Sequence, residues 1–179
     1  MFEGKYVNLR IVEKEDLPIV AEWLSNPEFF SYAPFPQRTK AELENQYENL
    51  PSDSRWFIVE KKNGSGIGFL YHEFVGSQLE IGYALLPKER NKGYGTEAIT
   101  IVVDYLFLTK PVARIQATTD VRNKPSQKVL EKNEFKKEGI VRNAGLVRGQ
   151  WIDEYLYSIL REEWREPKIL KKIAQRDHP

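Results

Sequence analysis

The segment from Leu79 to Leu108 constrains the fold of this chain more than any other part of its sequence. It begins with an apolar run over Leu79–Leu86 whose hydrophobic residues fall on both faces, which predicts a central, buried strand. Pro87 ends that strand, and a basic loop containing glycines follows. From Thr96 to Leu108 the apolar residues recur at helical spacing. A buried strand that leads through a short loop into a helix is typical of an α/β protein.

The rest of the chain mixes strands and helices without strict alternation. Apolar and alternating runs predict six further strands, at Lys5–Val12, Arg55–Glu60, Gly66–Phe74, Arg114–Thr119, Phe135–Arg142 and Tyr155–Leu160, with a long turn between the last two. Helical spacing predicts further helices at Glu13–Ser25, Thr39–Leu50 and Asn123–Asn133. Because neighbouring strands form hairpins, we expect one mixed sheet flanked by helices and not a doubly wound parallel sheet.

Composition excludes several classes of function. Twenty-seven Lys and Arg against 26 Asp and Glu give a net charge of +1, which favours neither nucleic acid nor an anionic membrane as a partner. Cysteine is absent, so disulfides, cysteine-rich zinc sites and a cysteine nucleophile are excluded. Only His72 and His178 are present, far apart in sequence, and we expect no metal. The N-terminal residues contain no apolar segment and no stretch approaches eighteen apolar residues, so we expect a cytoplasmic protein.

The loop after the central strand contains the spacing Arg90-x-x-Gly93-x-Gly95. Glycines let backbone N–H groups turn inward because no Cβ stands in the way. A helix that starts near Gly93 adds unpaired N–H groups and the positive end of its dipole, so the loop suits a pyrophosphate. The spacing alone fits a solvated basic turn equally well, and neither the P-loop pattern nor GxGxxG is present.

Together with its flanking residues, this loop resembles the acetyl-CoA loop of the GNAT superfamily of N-acetyltransferases. The runs Glu80-Ile81-Gly82-Tyr83 and Gly93-Tyr94-Gly95-Thr96-Glu97-Ala98 are similar to those of the RimJ/RimL-type branch, the ribosomal-protein N-terminal acetyltransferases and their relatives. Downstream, Asn123-x-x-Ser126 and Tyr157-Ser158-Ile159-Leu160 keep the order of that branch. The resemblance spans about residues 6–164, so we expect an acetyltransferase domain at residues 1–164 and a charged C-terminal tail at residues 165–179.

The resemblance implies a mixed, mostly antiparallel sheet of about seven strands whose fourth and fifth strands splay apart. Acetyl-CoA would be the co-substrate, with its pantetheine arm in the splay against the backbone of Ala84, Leu85 and Leu86. The remaining cofactor-binding residues that it implies are Arg90, Asn91, Lys92, Gly93, Tyr94, Gly95, Thr96, Asn123 and Lys128. An acceptor amine would attack the thioester directly in a ternary complex, and residues 29–37, an aromatic and proline-containing loop, would wall the acceptor.

Two side chains are candidates for proton transfer. An amine must lose its proton to attack, and the leaving thiolate can take one up. Glu80 is the candidate base because burial raises the pKa of a carboxylate, the alternative being an ion-paired structural residue. Many superfamily members have a tyrosine seven residues after the position of Asn123, where this chain has Leu130. By resemblance, Ser126 is then the donor near the sulfur, the alternative being a helix N-cap.

The acceptor and the assembly are not determined by the sequence. The acceptor is a protein N-terminus or a small-molecule amine, and the chain is compatible with a homodimer. The alternative, from another class of function, is a non-catalytic module that binds or senses acyl-CoA. The same loop would bind the CoA in such a module. The family also has Gly before the phenylalanine of its sixth strand, where this chain has Glu134, and we expect Asn133 to adopt the left-handed conformation instead.

Overall fold

The computed structural model describes residues 1–33 and 39–170, which form one eight-stranded sheet with helices on both faces. The strands are β1 (Phe2–Glu3), β2 (Val7–Ile11), β3 (Arg55–Lys61), β4 (Gly66–Val75), β5 (Gln78–Leu85), β6 (Arg114–Asp120), β7 (Lys136–Val147) and β8 (Gln150–Leu160). The helices are α1 (Leu17–Leu24), α2 (Lys40–Glu48), α3 (Tyr94–Thr109) and α4 (Lys124–Lys132). The predicted mixed α/β fold is confirmed, and the strand missing from the prediction is the two-residue β1.

The order of the strands in the sheet is β1-β2-β3-β4-β5-β6-β8-β7, and only the β5–β6 pair is parallel. That pair is joined at two positions only, Leu79 with Ile115 and Glu80 with Gln116. Beyond Glu80, β5 stays paired with β4 while β6 stays paired with β8. The sheet therefore splays between β5 and β6, the fourth and fifth of the predicted strands, and a gap opens in its middle.

Each face of the sheet has its own hydrophobic core. On one face α3 and α4 cover a core that includes Leu79, Ile99 and Ile115. On the other face α1 and α2 cover a second core that includes Leu17, Leu43 and Trp56. Thr39 caps α2, and its hydroxyl and the Glu42 carboxylate form a capping box. The gap between β5 and β6 thus opens toward both layers.

The last two strands form a tight hairpin, so the prediction of a long turn was wrong. Arg148 and Gly149 form the turn, both with positive φ (51° and 77°), as two-residue hairpin turns of the primed type require. Most of β7 is exposed at the edge of the sheet and shows no apolar alternation. For that reason the sequence pattern ended the strand at Arg142, five residues before its end at Val147.

The C-terminal end of α4 departs from the prediction for Asn133. Asn133 has φ −96°, and its side-chain amide donates to the carbonyls of Thr96 and Val129. Glu134 takes the left-handed conformation instead, with φ 66°. The Phe135 N–H then reaches the Leu130 carbonyl (3.1 Å), as in a Schellman-type helix end. The side-chain hydrogen bonds of Asn133 therefore accompany a negative φ at this residue, and Glu134 adopts the strained positive φ.

Replacing Glu134 by glycine is expected to stabilise the fold. A left-handed residue other than glycine destabilises the folded state by about 1–2 kcal/mol, and glycine removes this strain. Glycine also has more conformational freedom in the unfolded chain, which offsets part of the gain, so we expect the free energy of unfolding to rise by about 1 kcal/mol. The exposed Glu134–Lys168 ion pair contributes little. Urea denaturation measures the gain, and Glu134→Ala is the control because it removes the carboxylate but keeps the strained angle. Equal stability of the two variants would contradict this account.

Candidate functional site

The loop that precedes α3 presents an open helix end. Gly93 is the N-cap of this helix with φ 85°, and within residues 1–33 and 39–170 no side chain caps it. A Cβ placed on Gly93 would meet no atom within 4 Å, so the space in front of the loop is open. The first N–H groups of a helix have no partner inside the helix, and they carry the positive end of its dipole. This helix end has the geometry of an anion site.

A cavity of about 570 Å³ runs from this helix end through the gap between β5 and β6. Most of the predicted site residues line it: Glu80, Ala84, Leu85, Arg90, Asn91, Gly93, Gly95, Thr96, Asn123 and Ser126. Four predicted cofactor residues lie outside its lining, namely Leu86, Lys92, Tyr94 and Lys128. The Lys92 ammonium pairs with Glu89 at 3.1 Å, and Lys128 is exposed on α4.

The backbone of β5 presents only some of its N–H groups to the gap. The Leu86 N–H donates to the Ile67 carbonyl, on the side of β4. Since backbone groups in an antiparallel pair alternate in direction, the N–H of Ala84 also faces β4, whereas those of Tyr83 and Leu85 face the gap. Of the three predicted backbone partners of pantetheine, only Leu85 has its N–H group facing the gap. The N–H group of Tyr83, which was not predicted, faces the gap as well.

At the N-terminus of α4, the predicted alternative for Ser126 was wrong. The N-cap is Asn123, whose side-chain oxygen accepts the Ser126 N–H at 3.2 Å. The Ser126 hydroxyl is therefore not needed as a cap and lies 2.9 Å from the Tyr83 hydroxyl. Burial raises the pKa of Tyr83 to about 12, so its phenol is neutral at physiological pH. Tyr83 was not predicted as a functional residue, because an aromatic residue in an apolar strand reads as core.

Glu80 lies on the opposite face of β5 from Tyr83, at the last paired position before the gap. It accepts a hydrogen bond from the Gln116 amide (3.0 Å), and it takes part in no ion pair within the described part of the chain. Burial raises its pKa, and the carboxylates of Glu73 and Glu154 raise it further. Glu80 therefore has a raised pKa and no ion-pair partner among the described residues, which is the environment of a candidate base and not that of the ion-paired residue of the alternative.

The chamber on the Glu80 side of the gap combines carboxylates with aromatic rings. Glu73 pairs directly with Glu80 across the strands, and Glu154 also lines the cavity. Like charges in such a pair repel, and none of the three has an ion-pair partner among the described residues. The aromatic lining consists of Phe29, Phe30, Tyr32, Trp56, Phe69 and Tyr71. Residues 34–37 of the predicted acceptor wall lie outside the described residues.

The comparisons with known proteins agree with this geometry. Residues 7–136 match the model of the GNAT acetyltransferase domain, more than half of the chain. This chain belongs to the GNAT acetyltransferase family. An uncharacterized N-acetyltransferase of Bacillus licheniformis, p20, is 30% identical over 168 residues, which cover 88% of this chain and 94% of that protein. The family and this relative identify an acetyl-CoA-dependent acyltransferase.

Two further N-acetyltransferases are similar to this chain, one in sequence and one in fold. The ribosomal protein uS5-alanine N-acetyltransferase of Escherichia coli is 33% identical over 84 residues, 47% of this chain and 43% of its own. This relative bears out the predicted likeness to the RimJ/RimL-type enzymes. The spermidine N-acetyltransferase of Vibrio cholerae, solved with CoA and spermine, has a TM-score of 0.82 and 23% identity over 90% of this chain and 99% of its own. At that identity the likeness concerns the fold.

Residues 1–33 and 39–170 contain no group of three or more His, Asp or Glu side chains that could hold a metal ion. His72 is fully buried beside Phe57 and Tyr105, and burial lowers its pKa to about 4. It is therefore a neutral core residue outside the lining of the cavity. Over the same residues, no helix is long and apolar enough to cross a membrane.

Proposed function

We propose that this acyltransferase acetylates a primary amine by direct transfer from acetyl-CoA in a ternary complex. One observation carries the proposal: a single cavity joins an uncapped helix end on one side of the sheet gap to a carboxylate-lined chamber on the other. The residues fit the co-substrate, because the open space at Gly93 can take its phosphates and the unpaired edge of β5 can take its pantetheine amides. Acetyl-CoA supplies the activated acyl thioester.

The residues at the helix end bind and orient. The N–H groups of Tyr94, Gly95 and Thr96, at the first turn of α3, would donate to the pyrophosphate. The Leu85 N–H, which faces the gap, would hold the pantetheine arm in line with the strand. The Leu85 and Val129 side chains pack near Gly95 and narrow this part of the cavity, so water has less room beside the arm. Together these residues would hold the bound thioester at one position in the gap.

Proton transfer is assigned to side chains on the two faces of the sheet. Glu80, with its raised pKa, would take the proton of the acceptor ammonium, directly or through one water. The Ser126 hydroxyl would donate a hydrogen bond to the sulfur as the thiolate leaves, and the thiolate would take up the second proton, which the attacking nitrogen loses on becoming an amide. The Tyr83 phenol donates to the Ser126 oxygen in this assignment, which leaves the serine hydrogen free to point into the gap. Glu80 and Ser126 thus lie on opposite faces of the sheet and line the same cavity.

The chamber favours an acceptor that is positively charged before it reacts. Glu73, Glu80 and Glu154 face it without a counter-ion in the described chain, and aromatic rings suited to cation–π contact surround them. A protein N-terminus, as in the uS5-alanine enzyme, and a polyamine, as in the V. cholerae enzyme, both fit this description. We propose a cationic primary amine of one of these two kinds. A purely acyl-CoA-sensing module would have no use for the carboxylates.

Acetyl-CoA is expected to stabilise the folded protein. A ligand that binds only the native state at about 100 times its Kd adds roughly 2.7 kcal/mol to the free energy of unfolding. Thermal melts with millimolar acetyl-CoA measure this shift, and adenosine is the control because it lacks the phosphates. The same samples, supplied with spermidine or a peptide with N-terminal alanine, should release free thiol. No shift together with no heat in calorimetry would refute acetyl-CoA as the co-substrate.

A further inference from the structure

We propose that Arg90 is a positioning residue for the acceptor and not a ligand of the phosphates, because its guanidinium fixes the acceptor-side loop, residues 28–31, against β5. This inference rests on the proposed function, since it takes the Glu80 side of the cavity as the acceptor chamber. The resemblance to the GNAT superfamily implied that Arg90 is a cofactor-binding residue. In the structure its side chain instead hydrogen-bonds to Leu85 on β5 and to residues 28–31 of the chamber wall.

The contacts of Arg90 engage all three of its side-chain nitrogens. Nε donates to the Leu85 carbonyl on β5 (3.0 Å). Nη2 donates to the carbonyls of Glu28 (2.7 Å) and Phe29 (3.1 Å), and Nη1 donates to the Ser31 hydroxyl (3.3 Å). A guanidinium offers five N–H donors in a planar fork, so one side chain can bridge a strand and a loop in this way. The fork is thereby occupied by neutral acceptors from both elements.

The surroundings of Arg90 match a structural bridge better than an anion site. It is half-buried, and burial lowers its pKa. Among the described residues it forms no ion pair, so backbone carbonyls, the Ser31 hydroxyl and the charge of Glu28 beyond ion-pair distance compensate its charge. A guanidinium reserved for phosphate would keep its donors directed at the N-terminus of α3, where the N–H groups are unpaired. Here the Nη1 and Nη2 groups already donate to partners 59 to 62 residues away in sequence.

The loop that Arg90 fixes carries part of the acceptor wall. Asn26 and Pro27 follow the end of α1, and the next residues run along the cavity. Phe29 is buried, with its ring 6.0 Å from that of Trp23 and 5.1 Å from that of Phe30. The Ser31 hydroxyl donates to the Glu28 carbonyl while it accepts from Arg90, so the bridge extends along the loop. Loss of the guanidinium would release the backbone that places these aromatic rings.

The test compares Arg90→Met with a matched control, Arg161→Met. Arg161 also donates to three backbone carbonyls, those of Phe107, Lys110 and Val112, but it lies outside the cavity. Hydrogen–deuterium exchange of residues 28–33 reports the loop, and calorimetry reports the Kd for CoA. Kinetics with spermidine or a peptide with N-terminal alanine, whichever the wild type acetylates, separate the KM of the acceptor from that of acetyl-CoA.

Arg90→Met is expected to speed exchange in residues 28–33 and to raise the KM of the acceptor, each about 10- to 100-fold, which corresponds to the loss of about one charged hydrogen bond. The Kd for CoA and the KM for acetyl-CoA should stay within about twofold, and Arg161→Met should change none of these. Weaker CoA binding with unchanged loop exchange would make Arg90 a phosphate ligand and overturn the proposal, as would no change at all.

A second variant keeps the test valid if Arg90→Met does not fold. Arg90→Lys retains the charge, but one ammonium cannot span the strand and the loop together. Exchange in the loop should therefore stay fast in Arg90→Lys, and loop protection equal to the wild type would overturn the proposal. If wild-type protein shows no heat with CoA, the proposed function fails. The exchange comparison still decides whether Arg90 holds the loop.

Discussion

Replacing Gly93 by valine is expected to abolish CoA binding while the sheet remains folded. Gly93 has φ 85°, a conformation that a β-branched residue adopts only with strain. The variant must either move the start of α3 or place a branched side chain in the open space before the helix end. Either outcome prevents the N–H groups of the helix end from reaching the pyrophosphate. The affinity for CoA should therefore fall by at least about 100-fold, which corresponds to the loss of two charged hydrogen bonds. Calorimetric titration with CoA measures this loss.

Gly64→Val provides the matched control for that experiment. Gly64 has φ 82°, and a Cβ placed on it would meet no atom within 4 Å, as at Gly93, but it lies in the turn between β3 and β4. Its replacement should cost similar backbone strain, about 1–3 kcal/mol, without changing the Kd for CoA. If Gly93→Val binds CoA as tightly as Gly64→Val does, the phosphate site lies elsewhere.

Local pattern was sufficient to predict the strand, loop and helix from Leu79 to Leu108. The apolar run, Pro87 and the helical spacing each act over a few residues, and the structure places β5 and α3 within a few residues of the predicted bounds. The same local rules could not choose between Asn123 and Ser126 as the cap of α4, because both residue types are preferred caps. Only the backbone geometry at Asn123 decides, and it frees the serine hydroxyl.

Contacts between distant residues account for most of what the sequence did not reveal. Tyr83 meets Ser126 across 43 residues, and Arg90 meets the loop after α1 across about 60. The periodicity of one segment carries no information about which distant segment it contacts. Sequence patterns therefore indicated a core residue at Tyr83 and part of a phosphate loop at Arg90. The pairing of Glu73 with Glu80 is likewise a property of the β4–β5 register. These side chains are functional candidates because of their tertiary contacts and strand register, and not because of their residue types.

Ser126→Ala is expected to lower kcat about 10- to 1,000-fold with little change in the KM for acetyl-CoA. A hydrogen bond that strengthens as charge builds on the sulfur acts in the transition state, so its loss is seen in kcat. We favour the lower end of this range, because a thiol with a pKa near 8.5 can leave without a proton. Since Asn123 is the cap, Ser126→Ala removes no capping bond, and the fold should lose only about 1 kcal/mol with the Tyr83 contact.

Tyr83→Phe, alone and combined with Ser126→Ala, tests whether the two hydroxyls act together. The single variant should lower kcat about fivefold, the worth of a hydrogen bond of about 1 kcal/mol. The double variant should be no slower than Ser126→Ala, because a phenol that acts by orienting the serine has no effect once the serine hydroxyl is gone. Tyr157→Phe is the control, since that hydroxyl donates to Glu131, and Tyr157 does not line the cavity. Independent, additive losses of kcat would show that Tyr83 acts on its own. An unchanged kcat in Ser126→Ala would show that water, and not Ser126, donates to the leaving sulfur.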